Sequence, residues 1–347
     1  MKFGAGLPTG MEGLIYPVPF FRPEDFVAMA VLAEDLGYDS VWGNDHYAPQ
    51  HYVASDAPPN FYEPLTVLAA IASATSRVEL GTAVLVLPMR DAVTVAKQAM
   101  TLDQLSGGRL LLGVGIGAYR EEYEAARPDR FGANRGEILV EGLELLRRLS
   151  TEDEVSHDGR WFPTRSLRMY PKGVDGPLRV LVGGHHLRAI DRAVRYGAGW
   201  IPGWRPFDEL TDWIALLRER AARAGRDPAS LIVAPQLSCL VGRTSQQARE
   251  RYRRTGMVAH RESLAYTGRD PRLAMDNNLV GSPQEVLDKV TLLGESGADH
   301  LACITFCVQS VEEYEEQLRW FAEEIIGPYR NARESQGGST SQDQDRT

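Results

Sequence analysis

Residues Val78–Ala125, VELGTAVLVLPMRDAVTVAKQAMTLDQLSGGRLLLGVGIGAYREEYEA, decide the fold. VELGTAVLVL is apolar without alternation, as expected of a strand covered on both faces in a parallel sheet, and RLLLGVG repeats the pattern. Between them Ala92, Val95, Ala96, Ala99, Met100 and Leu102 recur at near-helical spacing, and Leu105-Ser106-Gly107-Gly108 stops the helix. Strand, helix and strand in this order form a βαβ unit, and the second strand runs into a glycine-rich turn where a ligand site is expected.

The alternation continues outward from this unit. Strand-like runs fall near Lys2–Leu7, Ser40–Gly43, Val78–Leu87, Arg109–Gly115, Arg179–Val182, Gly199–Pro202, Leu231–Val241 and His300–Phe306. Helical patterns lie between them, near Pro23–Leu36, Pro64–Thr75, Ala92–Leu105, Asn134–Leu149, Arg188–Tyr196, Phe207–Ala224, Ser245–Thr255 with Pro283–Gly294, and Val311–Ile326. Eight such pairs predict an α/β fold, a single (β/α)8 TIM barrel over residues 1–329. Two insertions are expected, a short hairpin near 153–175 and an Arg-rich lid near 244–280. Between Arg249 and Arg272 seven arginines face Glu250, Glu262 and Asp270, which suits a solvated helix face or a lid against an acidic ligand. Residues 330–347 are polar and expected to form a disordered tail.

Composition narrows the function classes. The 347 residues are 43% hydrophobic and 24% charged, ordinary for a globular enzyme with a large core. A net charge of -9 argues against nucleic-acid and anionic-membrane partners. No run approaches the length of a membrane span and no signal peptide is evident; three cysteines without CxxC spacing fit a reducing cytoplasm.

In a barrel the chemistry belongs to the carboxyl ends of the strands. Asp45-His46 follows the strand SVWG, where a histidine can exchange a proton near neutral pH and an adjacent carboxylate can tune it; Tyr47, His51 and Tyr52 lie close by. Gly113, Gly115 and Gly117 interrupt the turn before Ala118-Tyr119, where backbone must approach something closely. A dinucleotide fingerprint normally follows the first strand of its fold and needs an acidic ribose binder about 20 residues on, whereas this is the fourth strand of the series, so that reading is not expected. Gly183-Gly184-His185-His186 precedes a helix, either a phosphate cradle or a simple tight turn. The two histidines lack metal spacing, so no metal is predicted. Trp204 and Tyr47 are placed to line an apolar pocket.

The segments LVLPMRDAVTVAKQ, LDQLSGGR and GVGIGAY resemble the bacterial luciferase-like superfamily of flavin- and deazaflavin-dependent oxidoreductases, from about Met1 to Gly327 and most closely up to Ala125. The resemblance implies that His46, tuned by Asp45, is the proton-transfer group beside a flavin ring. It places a non-prolyl cis peptide at Ala83-Val84 under the ring, gives Gly115 and Gly117 the task of making room for it, and sets Tyr119 beside the phosphate-bearing chain. Gly183, Gly184 and His185 would hold the cofactor phosphate, with Trp204 at the cofactor and Tyr47, His51 and Trp204 at the substrate. Ile116 stands where luciferase places a phosphate-binding Arg, so another group must neutralise the phosphate. By the same resemblance the cofactor is reduced FMN supplied by a separate flavin reductase, with dioxygen oxygenating a small apolar or carbonyl substrate. The alternative is coenzyme F(420), a 5-deazaflavin suited to hydride transfer, whose polyglutamate tail would suit the Arg-rich segment; a non-catalytic flavin-binding subunit is the third reading. A homodimer is expected on the same ground.

Overall fold

A computed structural model describes residues 1–48, 57–203, 206–263, 265 and 275–339. Its parallel strands start with β1 (Lys2–Leu7), β2 (Ser40–Gly43), β3 (Glu79–Thr82), β4 (Leu85–Val86) and β5 (Leu110–Gly115). The quoted run Val78–Leu87 is therefore two strands, interrupted by a cis peptide between Ala83 and Val84. Both pieces pair with β5, Leu80 opposite Leu110 and Leu85 opposite Val114. The hairpin β6 (Val155–His157) and β7 (Thr164–Leu167) stands outside the barrel where the sequence places it. The ring continues through β8 (Val180–Gly184) and β9 (Gly199–Pro202).

Closure depends on a second interrupted strand. Leu231–Val241 bends at Ala234-Pro235 into β10 (Ile232–Val233), paired with β9, and β11 (Gln236–Val241), paired with the final strand. Pro235 has no N–H to offer either neighbour, and its carbonyl accepts from Ala302 N at 2.9 Å. Between β11 and the last strand in sequence lies β12 (Leu279–Gly281), which adds to the outer side of β11. The last strand, β13 (His300–Phe306), pairs with β11 and with β1, and the barrel is complete.

The helices are α1 (Pro23–Asp35), α2 (Pro64–Ala74), α3 (Ala92–Ser106), α4 (Arg120–Ala126), α5 (Arg135–Thr151) and α6 (Leu187–Tyr196). They continue as α7 (Phe207–Arg223), α8 (Ser245–Tyr252), α9 (Gly256–Ser263), α10 (Pro283–Glu295), α11 (Val311–Phe321) and α12 (Gly327–Ser339). The helix α3 ends as its sequence requires: Asp91 caps the Thr94 amide, and Gly107 closes the C-terminus with φ at 67°. Its buried face, Val95, Ala96, Ala99 and Met100, joins the apolar layer between helices and sheet.

The barrel interior is filled by Trp42, Leu111, Leu181, Ile201, Ala234, Ala302 and Cys303. Gly4 and Gly81 exist for Trp42, because a Cβ on Gly81 would lie 2.1 Å from the indole and one on Gly4 2.2 Å from it. The indole Nε1 donates to Ser40 Oγ at 2.6 Å, and Ser40 Oγ lies 2.7 Å from His300 Nε2. Burial pushes the His300 imidazole down to about 4.

Four local readings need correction. The short elements α4, α9 and β12 are absent from the predicted series, because seven or eight residues of helix and three of strand carry too little periodicity. The predicted disordered tail begins as helix: α12 continues to Ser339. Tyr329 anchors it edge-on to Phe3 at 5.4 Å, and Arg330 pairs with Asp39 at 2.9 Å. Residues 340–347 lie outside those described. Cys239, Cys303 and Cys307 are buried free thiols. Among the described residues no helix is long and apolar enough to cross a membrane.

Candidate active site

The carboxyl ends of the strands surround a cavity of about 1120 Å³. Every barrel strand except β1 sends a residue of its own or of its following turn into the wall: Asn44, Asp45 and His46 after β2, and Ala83, Val84 and Val86 along the broken strand. Gly115 to Tyr119, Gly183 to His186, Pro202, Gln236 and Thr305 complete that circuit, with Met11 and Ile15 contributed by the β1–α1 loop.

His46 meets a carboxylate that its own neighbours in sequence do not supply. Its Nδ1 lies 2.9 Å from Glu122 Oε2 on α4, while Glu122 Oε1 accepts the Tyr47 amide at 2.5 Å and the Ala48 amide at 3.4 Å. A carboxylate only accepts, so Nδ1 carries the proton and Nε2 is the nitrogen left for exchange. The expectation that Asp45 tunes His46 by contact is corrected here. Asp45 points the other way, accepting from Val86 N at 2.7 Å and from Arg90 Nη2 and Nε at 2.6 and 3.1 Å. Adjacent side chains on extended backbone face opposite sides, which is why neighbours in sequence have separate partners. Tyr47 is also corrected. Its ring is half-exposed under the Arg90 guanidinium at 5.1 Å and is not part of the cavity wall. His51, Tyr52 and Trp204 lie outside the described residues.

The glycine turns have an intramolecular purpose. A Cβ on Gly115 would stand 2.6 Å from Val84 Cγ2, one on Gly183 2.8 Å from Val84 Cγ1, and one on Gly117 2.8 Å from Val86 Cγ1. The absent side chains of Gly115 and Gly117 accommodate the broken strand, and both glycines also line the cavity. That strand is held by its carbonyl: Ala83 O accepts from Asn44 Nδ2 and Gln236 Nε2, each at 3.1 Å. Val84 reaches the cavity between the two glycines.

Positive charge gathers at the other end. Arg188 and Arg192 lie on α6 immediately after Gly183-Gly184-His185-His186, and Arg135 opens α5 with Nη1 donating to Gly117 O at 3.1 Å. Burial, then the nearby Arg188, lowers the Arg192 pKa. With Arg120 and Arg261, five arginines line the cavity, and Asp45 is its one carboxylate among the described residues. Ile116 brings no cation to this wall, while α5 and α6, where sequence reading did not look, bring three. The His185 and His186 ring centroids are 4.2 Å apart with the planes tilted by 43°, and both residues line the cavity.

The family model for luciferase-like monooxygenases matches residues 1–300. The chain belongs to that family. It is 32% identical over 241 residues to the F(420)-dependent hydroxymycolic acid dehydrogenase of Mycobacterium tuberculosis, a match spanning 68% of this chain and 64% of that enzyme. It is 33% identical over 242 residues to the F(420)-dependent glucose-6-phosphate dehydrogenase of Beutenbergia cavernae, covering 69% of this chain and 70% of that one. The crystal structure of a monooxygenase from Streptomyces bottropensis superposes with a TM-score of 0.75 at 26% identity, covering 95% of this chain and 100% of that one.

The Arg-rich segment divides its work within this family frame. On α8, Arg249 pairs with Asp276 at 2.7 Å and Arg251 with Glu313 at 3.6 Å, ordinary outward-facing ion pairs. On α9, Met257, His260 and Arg261 face the cavity, and Tyr119 OH lies 3.2 Å from both His260 Nδ1 and Ser263 Oγ. The ring of Tyr119 stands 5.9 Å from His46. This end, with Met11, Ile15, Leu237 and Met257, has apolar walls.

Proposed function

We propose that the protein is an F(420)-dependent oxidoreductase acting on a small alcohol or carbonyl compound. The observation that carries the reading is the charge of the cavity: five lining arginines against one carboxylate, itself bound to Arg90, in a chain whose net charge is -9. Such a wall suits a cofactor bearing both a phosphate and a carboxylate-rich tail. The names of the two F(420)-dependent relatives support the same order of preference over FMN.

In this reading Gly183, Gly184, His185, Arg135, Arg188 and Arg192 would hold the phosphate, and Ala83 and Val84 would support the ring. A bound deazaflavin supplies a hydride acceptor for an alcohol or a donor for a carbonyl. His46 receives the hydroxyl proton at Nε2, or returns it in the reverse direction, while Glu122 holds Nδ1–H and offsets the imidazolium charge. The apolar residues at the α9 end exclude water around the exchange. A cytoplasmic homodimer remains part of the proposal.

The second reading is a monooxygenase that takes reduced FMN from a separate reductase and uses dioxygen. The likeness to the Streptomyces bottropensis monooxygenase and the apolar walls beside His46 favour it. Anaerobic titration with F(420) and with FMN separates the two. The proposal expects F(420) to bind at least about tenfold more tightly, or 1.4 kcal/mol, and the reduced complex to leave oxygen unconsumed. Tighter FMN binding with oxygen uptake overturns it.

A further inference from the structure

We propose that Arg90 is a positioning residue that keeps His46 in register with the Val84 bulge. The inference extends the proton role proposed for His46 and rests on it for its chemical meaning. Its geometric content stands separately.

Three consecutive residues fasten the β2–α2 loop across the broken strand. Asn44 Nδ2 donates to Ala83 O, Asp45 accepts from Val86 N, and His46 reaches across to Glu122. Asn44 and Asp45 therefore grip the strand on either side of Val84. Of these, Asp45 alone brings a formal charge onto the strand, and its side chain is 1% exposed. An unpaired carboxylate so deep is strongly disfavoured, and the loop that carries both Asp45 and His46 would shift away from the strand to hydrate it. Arg90 removes that conflict. It engages Asp45 through both Nε and Nη2, and its Nη1 reaches Glu63, the N-cap of α2, at 2.9 Å. One guanidinium thus ties together the His46 loop, the bulged strand and α2. Its fork matches two acceptors at once, which a lysine ammonium cannot reproduce.

The test uses full-length protein with ¹⁵N-labelled histidine, its seven histidines resolved and the His46 signal assigned by its loss in His46→Gln. The Nδ1–H bonded to Glu122 gives a slowly exchanging proton. Arg90→Gln is expected to abolish that signal, Arg90→Lys to retain it weakly, and Asp45→Asn with Arg90→Gln to restore it by removing the buried charge. If Arg90→Gln keeps the signal, or the double variant fails to recover it, the inference is overturned. Should Arg90→Gln not fold, the lysine and double variants decide by the same criteria. Unimpaired hydride transfer in His46→Gln would instead overturn the proton role while leaving the signal series to judge Arg90.

Discussion

At one end of the cavity Asp45 lies against Arg90 and His46 against Glu122; at the other, Arg188 and Arg192 share one face of α6, and Arg192 donates to the Gly136 carbonyl at 3.4 Å. The first end supplies its own counter-charges and holds the His46 ring in place through Glu122. The second collects like charges, and burial first, then the neighbouring Arg188, lowers the Arg192 pKa. Such an arrangement stabilises the protein less than it prepares for an anion. The difference teaches that paired charges around His46 and a cluster of like charges on α6 can share one cavity, with Val84 in the same wall.

The comparison breaks most visibly if the ends are coupled. His46→Gln is expected to slow hydride transfer by about 10² to 10⁴-fold while cofactor affinity holds, a split read from single-turnover rates and titration. A parallel loss of affinity would mean that the ends are one unit.

The barrel floor supplies a reference in which a polar group is buried with no ligand role. The folded-state pKa of His300, about 4, lies below the ordinary 6.5, so the unfolded chain binds the extra proton between those values. Stability therefore rises with pH across that window and is lost as pH falls through it, by on the order of 3 kcal/mol for this residue. His300→Gln is expected to flatten that part of the urea-denaturation profile between pH 4 and 6.5; an unchanged slope would show that His300 is protonated where it stands.

At the anchoring end, Arg188→Gln with Arg192→Gln is expected to weaken cofactor binding by roughly 10 to 100-fold and to reduce its salt dependence, with the saturated rate unchanged. Equal salt slopes before and after substitution would remove α6 from the phosphate site.

The smallest effect concerns the boundary. Gly183→Ala places a methyl against Val84 and is expected to cost about 1–3 kcal/mol, with Val84→Ala recovering most of it in a double-mutant cycle. Additive losses would mean that Gly183 is required for something other than Val84.

Much of the architecture was legible because parallel strands buried on both faces write continuous apolar runs, as RLLLGVG does for β5. The interruptions left no mark in composition or periodicity: the cis peptide at Ala83-Val84 was expected only through the family resemblance, and the bend at Ala234-Pro235 was not foreseen, because both sit inside such runs and depend on partners far along the chain. His46 was singled out by its place after β2, but the carboxylate that meets it was taken to be the wrong one. Nearness in sequence favours Asp45, whereas the fold brings in Glu122 from 76 residues away. A glycine looks the same whether it yields space to a ligand or to a neighbouring valine, so Gly115 and Gly183 required coordinates. The phosphate-side arginines went unnoticed because α5 and α6 read as ordinary amphipathic helices.

The pairing of β1 with β13 also governs how the chain is made. Lys2 finds its partner His300 only after nearly 300 further residues have left the ribosome. At ordinary synthesis rates of 5–20 residues per second, the first strand waits about 15–60 s with one edge unsatisfied. During that interval Phe3, Ala5 and Leu7, all fully interior in the finished barrel, are available to any passing strand or chaperone. The protein's exposure to misassembly is therefore concentrated at its beginning and ends with the synthesis of β13.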